Sequence, residues 1–132
     1  MKYLYNIDPI LKTLPAHIRD SEAPWTEIES KEIGYTIYLD KYPCTPGHRL
    51  FVPNFNTFAA FSNCFKLAFM YGQEQVDTGE WDGFNIGFNY GKAAGQTVNW
   101  PHIHLIPRRE GDVEDPVGGV RNTIPGKCNY KR

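Results

Sequence analysis

Residues 57–76 run for twenty positions without a proline and with one glycine, Gly72, in a chain of 132 residues that carries 12 glycines and 10 prolines. Phe58, Phe61, Phe65, Ala68 and Phe69 recur there at helical spacing. The pattern predicts one long amphipathic helix, with Asn56 or Thr57 near its N-cap and the aromatic stripe Phe58, Phe61, Phe65, Phe69 in the core. The turn-rich remainder disfavours a helical bundle.

The rest alternates instead. Ile33, Tyr35, Ile37 and Leu39 are interleaved with Gly34, Thr36 and Tyr38, the period of a strand over residues 33–39. A Pro- and Gly-containing turn over 41–47 leads to a returning strand, Arg49–Pro53. After the helix, residues 77–83 read as a loop, 84–88 as a strand, 89–96 as a loop of small residues and 102–107 as a further strand. Residues 1–32 read as a polar arm with a short helix around 9–14 and then an extended, tethered stretch. Residues 33–132 form the domain, and the tail from 108 has little periodicity. Strands, one helix, then strands again predict a single α+β domain, with a mainly antiparallel sheet and the long helix packed on one face.

Net charge is −1 and the isoelectric point is near 6.4. Bulk charge therefore does not recruit nucleic acid or an anionic membrane, although a small anionic ligand needs only a local site. No apolar run reaches the roughly 18 residues of a membrane helix. Cys44, Cys64 and Cys128 are odd in number and widely spaced, without a C-x-x-C pair. That spacing disfavours a disulfide framework or a cysteine zinc site, and it fits a reducing cytoplasm.

The residues able to do chemistry are concentrated. His102 and His104, two apart on a strand, project from one face, while Ile103 and Leu105 point the other way, toward the helix. Just upstream, Ala93, Ala94 and Gly95 let a ligand approach the backbone, whose N–H groups bind phosphate oxygens when free. The Gln96 amide and Thr97 hydroxyl add donors. Cys44 lies four residues before His48, a spacing that admits a thiol–imidazole pair but carries no other mark of a thiol nucleophile. Arg108 and Arg121 read as solvated surface charges within reach of a phosphate.

Residues 89–108, from Asn89 through Gly95-Gln96-Thr97-Val98 and Trp100-Pro101-His102-Ile103-His104 to Ile106-Pro107-Arg108, resemble the signature of the histidine-triad (HIT) superfamily. Residues 39–53, with Asp40 before a Pro-x-x-Pro-Gly-His turn that ends in His48, and the tail over 111–126 resemble bacterial HIT hydrolases of the diadenosine tetraphosphate hydrolase type. The resemblance implies nucleotide phosphoryl chemistry without a cofactor. His102 falls on the middle histidine, which attacks the α-phosphorus to form a nucleotidyl-histidine intermediate, and His104 falls on the third. His48 falls on the histidine of the turn and Asp40 on the group that holds the ribose hydroxyls. Asn89, Gln96 and Thr97 fall on contacts to the phosphates or leaving group, beside the Gly95 turn.

Trp100 stands where the family has its first histidine, with its ring expected over the site or near a base and a backbone carbonyl of the turn before His102 expected to orient that imidazole. The implied substrates are dinucleoside polyphosphates or nucleoside phosphoramidates, and the implied assembly is a homodimer. Two other readings stay open: a metal site built on His102, His104 and His48 or Glu110, and a nucleotide-binding module whose triad has decayed at Trp100.

Overall fold

The structure, a computed structural model, describes residues 27–127. Five strands form one antiparallel sheet: β1 (Glu27–Lys31), β2 (Tyr35–Leu39), β3 (Arg49–Pro53), β4 (Gly83–Gly87) and β5 (Ile103–Arg108), in the order β1-β2-β3-β5-β4. One helix, α1 (Phe58–Asp77), packs against β3, β4 and β5. The α+β architecture is the expected one, and the helix lies within a residue of its expected span. Thr57 caps it, its hydroxyl oxygen accepting from the Ala60 N–H at 3.2 Å.

Alternation along the strands divides the side chains between two cores. On the helix side, Ile37, Phe51, Ile103 and Leu105 close on Cys64 and Ala68 of α1 and on Trp81. On the opposite side, Tyr38, Leu50 and Val52 pack with Val98 and Trp100, which come from the segment crossing that face before β5.

The aromatic stripe is not the buried face of α1. Cys64, Ala68 and Gly72 are buried, whereas Phe58, Phe65 and Phe69 are exposed, Phe65 to 47%, and Phe61 is half-buried. The helix rests close on the sheet: a Cβ at Gly72 would sit 2.8 Å from the Phe84 ring. Small residues are what that spacing admits, so the large rings turn outward.

The extended stretch before residue 33 is a paired strand, β1, held partly by the Glu29–Arg49 ion pair at 2.8 Å. β2 begins at Tyr35, and Ile33 is exposed in the turn before it. The expected helix around 9–14 and Cys128 lie outside the described residues. Among those residues, no helix is long and apolar enough to cross a membrane.

Candidate active site

The site is built where the β2–β3 hairpin and the start of β5 meet on the face opposite α1. The hairpin turn is locally encoded. The His48 N–H donates to the Thr45 carbonyl at 3.1 Å across Pro46-Gly47, and Gly47 has φ +90°. Proline followed by a glycine with positive φ is the requirement of a type II turn. At the other end of the turn, the Asp40 carboxylate accepts from the Tyr42 N–H at 2.7 Å, and Arg109 donates to the Pro46 carbonyl at 2.9 Å. Asp40 and His48 are thus fixed before any ligand arrives.

The hydrogen bonds assign each imidazole its protons. The Cys44 backbone N–H donates to His48 Nδ1 at 3.2 Å, so the His48 proton is on Nε2. That Nε2–H faces His104 Nδ1 at 2.9 Å and the Asp40 carboxylate at 3.4 Å. His104 Nδ1 is then an acceptor, and its Nε2 carries a proton to donate. His102 lies one residue before β5, buried, with Nδ1 2.8 Å from the Trp100 carbonyl. A carbonyl only accepts, so Nδ1 is the protonated nitrogen and Nε2 holds the lone pair. The His102 and His104 ring centroids are 5.2 Å apart.

Burial lowers the His104 pKa to about 4, with the neighbouring His102 and His48 acting in the same direction and Asp40 opposing. Burial also lowers that of His48, against the pull of Asp40. Both rings are held neutral. The Cys64 thiol, buried between α1 and the sheet, is pushed up to about 12 and is inert.

The other expected site residues divide. Asn89 lines a cavity of about 880 Å³ beside His104. Thr97 is exposed in the crossing segment. Gln96 closes its own loop: its Oε1 accepts from the Gly91 N–H at 2.8 Å and its Nε2 donates to the Val98 carbonyl at 3.1 Å. The loop's N–H groups turn inward as well, Ala94 to Gly91 O, Gly95 to Lys92 O and Gln96 to Gly91 O. The expected phosphate cradle at Gly95 is therefore a loop bonded to itself.

Trp100 is the larger correction. Its ring does not lie over the site. It is 6% exposed, packed on Tyr38, Leu50, Val52 and Val98, and its indole N–H donates to the Pro53 carbonyl at 2.7 Å. Its backbone carbonyl, in the turn where a carbonyl partner for His102 is expected, is what touches His102.

The cavity lies over β4 and β5, between the hairpin turn and the tail. His104, Ile106, Asn85 and Cys44 line it together with Val113 and Val120 of the tail. Arg108, also in its wall, is gripped by both oxygens of Asp112 at 2.8 and 2.9 Å and donates to Asn85 at 2.8 Å. Asp115 lines it too, and Arg121 bonds the Lys127 carbonyl instead. Cys44 meets His48 through its backbone.

Asp40, His48 and His104 bring their donor atoms within 4.8 Å of one another, the spacing of a metal site. That set includes neither His102 nor Glu110. The ring orientation does not fit it either. A metal-bound histidine donates its second ring nitrogen to an acceptor, whereas the second nitrogen of His48 already faces the Cys44 N–H.

A hairpin histidine and two histidines at the start of β5 agree with comparison to known proteins. A family model described as the HIT domain matches residues 28–111. The chain belongs to the HIT family. An uncharacterized HIT-like protein of Methanocaldococcus jannaschii is 39% identical over 83 residues, 58% of this chain and 64% of that protein. An adenylylsulfatase of Arabidopsis thaliana is 34% identical over 82 residues, 56% of this chain and 41% of its own length. The chain thus spans less than two thirds of both.

Among solved structures, a Zn-bound histidine triad family protein from Mycobacterium smegmatis superposes with a TM-score of 0.58 at 30% identity, covering 74% of this chain and 75% of that one. SMU.412c from Streptococcus mutans gives 0.60 at 27% identity, covering 76% and 68%. The chain has the HIT fold.

Proposed function

We propose that this HIT protein cleaves nucleotide conjugates through a covalent nucleotidyl-histidine intermediate on His102. The observation that carries the reading is the 2.8 Å contact of His102 Nδ1 with the Trp100 carbonyl, which leaves Nε2 unprotonated. A neutral imidazole with one oriented N–H is a competent nucleophile at neutral pH. Its Nε2 attacks the α-phosphorus, the bond to the leaving group breaks, and water then releases the nucleotide. His104 Nε2–H donates to a non-bridging oxygen as charge develops on it. His48 holds His104 in that tautomer, and Asp40 accepts from the ribose hydroxyls. The family's first histidine is absent, but its replacement leaves the nucleophile oriented.

The cavity beside His104 favours one of the two substrate classes. Its arginine is already paired with Asp112, and Asp115 adds negative charge, while Ile106, Val113 and Val120 make the wall apolar. A second nucleotide would bring phosphates into a wall that offers them no unpaired cation. An amine leaving group brings none, so nucleoside phosphoramidates suit the site better than dinucleoside polyphosphates. We also propose a homodimer that covers the outward stripe of Phe58, Phe65 and Phe69.

A turnover screen of the purified protein against both classes tests the function. The expected result is release of the nucleoside monophosphate, with a mass adduct of one nucleotidyl group trapped on His102. Nucleotide binding without turnover of any conjugate would favour the decayed binding module instead.

A further inference from the structure

Trp100 makes two directed bonds at once. Its indole N–H is tied to the Pro53 carbonyl at 2.7 Å, and its own carbonyl holds His102 Nδ1 at 2.8 Å. The pairing of β3 with β5 ends at Phe51↔Ile103, two residues short of Pro53. The chain before Ile103 has therefore left the sheet ladder. Along that stretch, the indole bond ties the chain to the end of β3.

We infer that Trp100 is a positioning residue: its buried indole N–H pegs the crossing segment to the end of β3, and so fixes the carbonyl that sets which His102 nitrogen carries the proton. The ring also fills the space among Tyr38, Leu50, Val52 and Val98, but apolar packing is non-directional and tolerates small rotations of the peptide plane. A hydrogen bond to a fixed carbonyl does not. A phenyl ring would fill most of the same volume and lose the peg. The consequence for catalysis rests on reading His102 as the nucleophile, whereas the consequence for its tautomer does not.

The test compares wild type with Trp100→Phe and with site-specific replacement of Trp100 by benzothienylalanine, which keeps the bicyclic shape and lacks the N–H. Nitrogen-15 NMR reads the His102 tautomer, and steady-state kinetics on a nucleoside phosphoramidate reads kcat and KM separately. Wild type is expected to hold the Nδ1–H tautomer alone. The variants are expected to populate both tautomers, with kcat lower by about tenfold and KM within about twofold, the pattern of a misaligned nucleophile.

Val98→Ala, which loosens the same cluster without touching the peg, is expected to lower stability and leave the tautomer unchanged. If Trp100→Phe does not fold, the isosteric variant decides. A single Nδ1–H tautomer in the isosteric variant, or an equal shift in Val98→Ala, would overturn the inference. Absence of turnover in wild type would sink the proposed function, while the tautomer comparison would still judge the peg.

Discussion

The two faces of the sheet are held together by different physics. Toward α1, Phe51, Ile103 and Leu105 are fully buried among apolar neighbours, and no directed bond is needed to keep them there. On the other face, His104, Ile106 and Arg108 alternate with them along β5, and the arrangement rests on a few hydrogen bonds from hairpin and crossing segment. One strand therefore carries adjacent residues with opposite vulnerabilities. Along β5, apolar burial is concentrated on one face and the proposed chemistry on the other.

The largest expected effect tests the chemical side. His102→Ala removes the nucleophile and should lower turnover by about 10⁴-fold or more while nucleotide binding persists. Single-turnover kinetics beside calorimetric binding measures both. Ile103→Ala, the next residue, should do the reverse. It leaves a void in the helix-side core and should cost about 2–5 kcal/mol in urea unfolding. If the residual folded fraction of that variant were also inactive, the separation of the faces would fail.

Acid should strike the site face selectively. His104 titrates at about 4 in the folded protein and at its ordinary value of 6.5 when unfolded. Above pH 6.5 it is neutral in both states and costs nothing. As pH falls from 6.5 to 4 the unfolded chain takes up a proton that the native state refuses, so stability falls, by up to about 3 kcal/mol. Below 4 the loss levels off. His48, shifted in the same direction, adds to it. Unfolding of His104→Gln across that range should be markedly flatter than wild type. The smallest expected effect on the fold is that of Phe65→Asp on the exposed stripe, within about 0.5 kcal/mol for a surface change. Light scattering should nonetheless show a fall from dimer to monomer mass.

The sequence was most legible where side-chain period or chemistry decides the structure. β2 and α1 emerge from alternation and helical spacing, β3 from the turn before it, and the histidines at β5 and the hairpin emerge from their motifs. β1 did not, because Glu-Ile-Glu-Ser-Lys holds one apolar residue and sits at an exposed edge, leaving no period to read. The buried face of α1 was misjudged because spacing reports that a helix has two faces, not how near the sheet lies. A close approach selects Ala68 and Gly72 over the larger phenylalanines. The inward-turned N–H groups around Gly95 were illegible for a different reason: loop backbone bonding is set by dihedral angles, which small residues leave open. A carbonyl partner for His102 is legible in the turn before it, but where the Trp100 ring packs is set by tertiary contacts that no local period reports.

The wall of the cavity facing His104 comes from Val113, Val120 and their neighbours, whereas the HIT match ends at residue 111. On the proposed function, bond breaking and part of the choice of leaving group then fall in consecutive lengths of chain. Selection or an engineer exchanging residues 112–123 for another segment would then alter what the proposed reaction releases, with the three histidines and their hydrogen bonds left as they are.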